Sequence, residues 1–218
     1  MPRSLSGRVL LETPAPRMAD EITAKHLAKL RIRGAPATVP GGGPMVGEYP
    51  PQQVMRSAVR VLAKPLEQPL TFEALKAALG ELREVQKRQG LGVAGNAILA
   101  VLDDPMEIVP HKRKLELMLP IRGPSKEEGD IKPARIDGGF YVSSRVVGSL
   151  ASLEDAYTYL LGKFLPSRRW ELARKQILNI LPEDLETANE KQLVMEVAVP
   201  GTMKHDAQQE PEPNPPAG

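Results

Sequence analysis

The chain has 218 residues and carries 29 basic against 27 acidic side chains, a balance that leaves no clustered positive excess for gripping nucleic acid. Cysteine is absent, which excludes disulfides, a thiolate nucleophile and thiolate metal ligands and fits a reducing, cytoplasmic setting. The longest apolar runs, such as Ile98 to Leu102, are far too short to span a bilayer, and no apolar segment follows Arg3 and Arg8 to make a secretory signal.

The first 44 residues read as a partly disordered extension. They hold one candidate strand, Arg8 to Glu12, and one short helix, Ala19 to Leu30, then pass into the linker RGAPATVPGGGP. The extension is too short for a helix-turn-helix domain. Its KHLAKLRIR stretch, Lys25 to Arg33, reads as a solvated basic helix face. At the far end, His205 to Gly218 is proline-rich and acidic with nothing to bury, so 202–218 is expected to be a disordered tail. The folded unit is therefore placed at 45–201, in two modules, 45–123 and 130–201.

The first strand of that unit is expected over Val54 to Val61. A helix follows from Phe72 to Gln89, because Phe72, Leu75, Leu79, Leu82 and Val85 recur every three or four residues and Gly90 stands where the chain must leave the helix. Strands come next over Asn96 to Leu102 and Leu115 to Leu119. The second module repeats the order: a strand at Phe140 to Val147, a helix from Ser152 to Pro166, and strands at Gln176 to Leu181 and Leu193 to Val199. Ser152 with Asp155 three residues on predicts a capping box, and Leu153, Ala156, Leu160 and Phe164 form the inward stripe.

The letters repeat as well. ALKAALGEL, Ala74 to Leu82, aligns on AYTYLLGKF, Ala156 to Phe164, at an offset of 82, and ELMLP at Glu116 aligns on EVAVP at Glu196 at an offset of 80. The expectation is an α+β fold of duplicated strand-helix-strand-strand modules related by a pseudo-two-fold axis. Its antiparallel sheets would carry helices on one face and leave a cleft between modules, a usual place for a ligand.

Several residues could face such a cleft. Glu116 shares a strand face with Met118, opposite Leu115, Leu117 and Leu119, and Glu196 shares one with Val194 and Ala198. Two equivalent carboxylates in a cleft would attract a cation. Trp170, the sole tryptophan, could stack on a flat ligand or close the core. Phe140 and Tyr141 point to opposite faces, so one of them meets the cleft. Tyr157 and Tyr159 read as packing or surface residues. His26, His111 and His205 lack metal-ligand spacing, and Ser143 and Ser144 lack a nucleophile elbow, so neither a metal, nor another cofactor, nor a serine nucleophile is expected.

The segment GDIKPARIDGGFYVSSRVVGSLASLEDAYTYLLGKFLP, followed by LVMEVAVP, resembles the GyrI-like, or AraC-type effector-binding, family, and LDDPMEIVPHKRKLELMLP resembles that family's Asp-Asp-Pro hairpin. The likeness covers about Met45 to Gly201. It implies a duplicated fold that binds amphipathic, cationic or aromatic small molecules, with Glu196, Glu116, Trp170, Tyr141 and Met118 as ligand-binding candidates. A hydrolase of electrophilic toxins using a cleft glutamate, or a gyrase-inhibitor-like module with a protein partner, are the alternatives that it implies. One departure is LAKPLE, at Leu62 to Glu67, where the family often has a glycine-containing turn.

Overall fold

A computed structural model describes residues 50–173 and 176–203. The strand and helix expected before Arg33, the basic stretch, and the tail from His205 lie outside the described residues. The elements are β1 (Gln52–Arg56), β2 (Val59–Leu66), α1 (Phe72–Arg88), β3 (Gly92–Val93), β4 (Ile98–Val101), β5 (Leu115–Arg122), β6 (Lys132–Ile136), β7 (Gly139–Gly148), α2 (Ser152–Tyr159), β8 (Trp170–Leu172), β9 (Ile177–Ile180) and β10 (Leu193–Met203). They form one antiparallel sheet in the order β1-β7-β10-β9-β4-β5-β2-β6, with β3 beside β5 and β8 beside β10. No helix among the described residues is long and apolar enough to cross a membrane.

Strand-helix-strand-strand occurs twice, as β2-α1-β4-β5 and β7-α2-β9-β10. The ladders keep one offset throughout. Leu62 faces Leu119 and, 80 residues on, Val142 faces Val199; Ile98 faces Met118 as Leu178 faces Ala198; Ala100 faces Glu116 as Ile180 faces Glu196. The halves join at β4 and β9, where Ile98 pairs with Ile180 and Ala100 with Leu178, and a shift of 80 maps each of these pairs onto the other. This register is consistent with a duplicated unit and places Glu116 and Glu196 at equivalent points. The helices obey a different offset. Leu75, Ala78, Leu79 and Leu82 are buried in α1, as Leu153, Ala156, Tyr157 and Leu160 are in the second helix, a shift of 78. The letter match at 82 fails in packing, since it equates exposed Ala74 with buried Ala156.

The segment expected as one strand from Val54 to Val61 is two. β1 pairs with β7 and β2 with β5 and β6, so the chain crosses between opposite ends of the sheet within Ser57 and Ala58. It can do so because the sheet curls into a half-barrel. The β6–β7 link lies directly against this bend: a Cβ added at Gly138 would stand 2.8 Å from both the Ala58 nitrogen and the Arg56 carbonyl oxygen. Only a residue without a side chain permits that contact. LAKPL, Leu62 to Leu66, is strand rather than turn, and Glu67 lies just beyond it. Pro65 is tolerated there because β6 pairs only with Val59 to Ala63, so no ladder partner on that side misses its N–H.

α1 begins at Thr71, whose hydroxyl accepts from the Ala74 N–H at 3.1 Å, and ends as expected at Gly90. There φ is +63°, the Gly90 N–H donates to the Lys87 carbonyl, and the Leu91 N–H donates to that of Gln86. The second helix departs from expectation at both ends. Ala151, not Ser152, holds the cap position, and no side chain caps it, so the capping box is absent. Pro166 does not end the helix. The chain widens into a π turn over Leu160–Phe164, with the Leu165 N–H reaching back to the Leu160 carbonyl, and adds an α turn over Leu165–Ser167. A proline inside a regular helix lacks one donor and collides with the carbonyl four residues back; the wider turn relieves both conflicts.

Two cores result. The helix face buries Leu62, Leu75, Leu79, Leu117, Val142, Leu160 and Val197 under the helices. The opposite face carries a smaller core of Val61, Ala63, Ile98, Ala100, Met118, Ile136, Tyr141, Leu178 and Ala198.

Candidate ligand-binding site

The central strands set the floor of a cleft on the helix face. Leu99 and Val101 of β4 alternate toward that face, and Leu115 of β5 extends it. The segment before α1 supplies Pro69 and Leu70 on one side, and the start of α2 supplies Leu150 and Leu153 on the other. The cleft has a volume of about 340 Å³. It is at the small end of ligand pockets, which run to roughly 1,000 Å³.

Its polar wall is built around Arg113, a 5% exposed arginine between the Asp-Asp-Pro hairpin and β5. The guanidinium donates from Nε to the Ile108 carbonyl at 2.7 Å and from Nη2 to the Pro105 carbonyl at 2.9 Å, which fixes the hairpin. It also forms a two-pronged ion pair with Glu154 of α2, at 2.5 and 3.0 Å. A buried guanidinium persists only when charge and donors are both matched, as here. The same group lies 5.7 Å from the ring centroid of Tyr157. Tyr157 donates to Asn179 Oδ1 at 3.0 Å, and Asn179 Nδ2 donates to the Leu99 carbonyl at 2.9 Å. Burial pushes the Tyr157 phenol well above its ordinary range, against the smaller opposing pull of the Asn179 hydrogen bond. Its hydroxyl is thus a fixed, neutral donor.

None of the five ligand-binding candidates named from sequence lines this cleft. Four of them share the opposite face. Tyr141 and Met118 are buried in the smaller core, and Tyr141 donates to the Asp137 carbonyl at 3.1 Å. Glu196 is half-buried, pairs with Arg56, and accepts a hydrogen bond from the Ser143 hydroxyl. Glu116 is half-buried, and among the described residues its carboxylate has no hydrogen-bonding partner. Trp170 stands apart in the helix-face core, edge-on to Phe140 at 4.7 Å, with its indole over Gly201 of β10. Of its two expected roles, this is core closure.

Sequence reasoning missed Arg113, Glu154 and Asn179, and it read Tyr157 as packing or surface. Arg113 sits in HKRK, indistinguishable from its solvated neighbours. Asn179 did leave a signal, as the polar residue in ILNIL at a position whose counterpart 80 residues earlier is Leu99. His111 lies exposed at the rim. No group of metal-ligating side chains occurs among the described residues.

The sequence matches the family model described as the GyrI-like small molecule binding domain over residues 49–201. The chain belongs to the GyrI-like family. Among solved structures, the GyrI-like chain is similar to the EcmrR C-terminal domain at 18% identity and a TM-score of 0.63, covering 72% of this chain and 99% of that one. It is similar to EcmrR in a DNA complex at 18% identity and a TM-score of 0.62, covering 85% of this chain and 64%, just under two thirds, of that one. An uncharacterized conserved protein from Listeria innocua follows at 14% identity and a TM-score of 0.52, covering 70% and 92%. Identities this low speak for the fold alone. No curated protein matches the sequence.

Proposed function

We propose that this GyrI-like chain is a cytoplasmic binding module that takes an amphipathic small molecule into the cleft on the helix face. The observation that carries the reading is the cleft itself, an apolar hollow at the junction of the two halves, floored by Leu99 and Val101 and held open by the Arg113–Glu154 ion pair. Binding fits better than hydrolysis of an electrophile. Glu154, the carboxylate of the cleft, is tied to a guanidinium, and the Tyr157 phenol holds its proton, so neither is placed to activate water. The test is a thermal-shift screen of amphipathic compounds, followed by calorimetric titration of hits into the wild type and Ala151→Phe. Ala151 is exposed at the cleft mouth, so the larger ring narrows the entrance without loading the core. Binding that survives Ala151→Phe unchanged would place the ligand elsewhere.

One observation favours a second reading, in which a cation binds on the opposite face above Met118 and Tyr141. There Glu116 has no partner among the described residues, whereas Glu196 is already matched by Arg56. In that reading Glu116 leads, Glu196 follows, and Trp170 contributes only through the core. Loss of cation binding in Glu116→Gln, with Ala151→Phe silent, would favour this site over the cleft.

A further inference from the structure

We infer that the cleft selects uncharged, flat, largely apolar ligands and discriminates against cations and anions alike. The inference rests on the cleft reading above and deepens it by naming the ligand class. Its basis is the fate of the polar side chains on the wall. Gln68 donates to the Arg113 carbonyl at 3.3 Å and accepts from the Leu70 N–H at 3.0 Å, so its amide closes the backbone rather than facing a guest. The Tyr157 hydroxyl is committed to Asn179. Arg113 spends four of its five N–H donors on two backbone carbonyls and both Glu154 oxygens, leaving neither charge of the pair uncompensated. Beyond the exposed imidazole of His111, the remaining wall is aliphatic.

A charged ligand entering such a wall sheds water and meets no counter-charge in return, a cost that only a matched partner offsets. A cation has a further obstacle. The aromatic ring that could hold it already has the Arg113 guanidinium 5.7 Å from its centroid, and two like charges over one ring repel. An anion approaching Arg113 meets the Glu154 carboxylate first. A flat neutral molecule, by contrast, gains apolar contact with Leu99, Val101, Leu115 and Leu153 and disturbs no existing pair.

The Arg113–Glu154 pair also makes the selectivity switchable, because it is neutral only while both members are charged. Glu154→Gln would leave a guanidinium without its counter-ion in the wall, turning an indifferent cleft into an anion-attracting one. Glu154 is the exposed member of the pair, at 42% of its side chain, and glutamine keeps an acceptor for Arg113, so this substitution disturbs the fold less than one at Arg113 itself; the variant's melting temperature checks that it folds.

The experiment titrates three probes with one aromatic core into the full chain, following fluorescence: N-phenyl-1-naphthylamine, its sulfonated analogue 1-anilinonaphthalene-8-sulfonate, and a trimethylammonium-bearing analogue. Wild type should bind the neutral probe at least tenfold more tightly than either charged one, with an affinity that added salt does not weaken. In Glu154→Gln the ratio of sulfonate to neutral affinity should rise about tenfold, and this gain should fade with salt. Tightest binding of the ammonium probe by wild type, lost in Glu154→Gln, would overturn the inference, as would an unmoved sulfonate ratio in that variant. Ala151→Phe separates the two levels. Neutral-probe binding untouched by that variant would remove the cleft reading itself, whereas binding that it blocks, with a charged probe preferred, would overturn only the ligand class.

Discussion

Tyr157→Phe removes one oxygen from the middle of the molecule and tests how the cleft floor is held. The deleted hydroxyl donates to Asn179 at 3.0 Å, and the two residues are 3% and 0% exposed, so no water replaces it. A hydrogen bond contributes about 1 kcal/mol net, but a buried acceptor left without its donor raises the cost to about 1–3 kcal/mol. The expected loss is therefore about 2 kcal/mol in urea unfolding, or about 4–8 °C in melting temperature for a domain of this size. Asn179→Ala strands the phenol in turn, so the double variant should fall short of additivity by about 1–2 kcal/mol. The pH dependence supplies a second readout. Since burial raises the folded-state pKa, the folded protein above pH ~10 holds a proton that the unfolded chain releases. Stability from this group is thus complete below the unfolded value and declines as pH climbs through that value toward the folded one. Tyr141, raised by burial as well, adds a decline of the same sign. Wild type should lose stability above pH ~10 at a slope that Tyr157→Phe reduces. A loss under about 0.3 kcal/mol, with an unchanged alkaline slope, would refute the claim that this pair is a closed, dry contact.

Gly138→Ala should destabilise by about 1–3 kcal/mol, because its methyl meets two backbone atoms at 2.8 Å, whereas Gly80→Ala, inside α1 with nothing within 4 Å, should stabilise by about 0.5–1 kcal/mol; chemical denaturation of both checks the pair. Trp170→Ala should cost about 3–5 kcal/mol and leave cleft binding intact, read by melting temperature and calorimetry together. Glu196→Gln should lower stability by up to about 1 kcal/mol by stranding Arg56, while Glu116→Gln, with no partner to lose among the described residues, should leave the melting temperature unchanged.

Much of the sheet was legible because strand faces obey a period of two. The alternation through ELMLP and EVAVP set Glu116 with Met118 and Glu196 with Ala198, faces that the structure turns away from the helices, and the offset of 80 between them holds across every main ladder pair. The helix offset was misread because 78 and 82 differ by about one helical turn, which keeps the apolar stripe in phase; only burial separates the two. The break at Ser57 and Ala58 was invisible for a different reason. No proline or glycine marks it, and the residue that packs against the bend, Gly138, is distant in sequence. The cleft was hidden most fully, since its wall depends on ion pairing between the hairpin and a helix 41 residues further on, and nothing local marks Arg113 as the arginine that is buried.

That hidden pairing has no counterpart at the equivalent positions, where Leu193 stands for Arg113 and Lys76 for Glu154. The backbone at the junction is close to symmetric, yet the side chains are not. Leu99 occupies one side of the junction and Asn179 the other, and only Asn179 can both accept the Tyr157 hydrogen bond and donate across to the Leu99 carbonyl. The second helix thereby gains a polar tie to the sheet at the point where α1 has Leu79, which can only pack. With Tyr157 fixed, its ring offers a surface for Arg113, and Arg113 in turn reaches Glu154 and holds the hairpin. Each step depends on the previous one, so the asymmetry at Asn179 propagates outward to the cleft mouth. Replacing Asn179 with leucine, its symmetric counterpart, would restore equivalence at the junction and release Tyr157. Such a variant should keep its strand registers but lose the ordered cleft, seen as increased amide exchange in Pro105 to Arg113 with β4 and β9 still protected. Protection lost equally from hairpin and central strands would mean that Asn179 supports the sheet as a whole rather than the cleft.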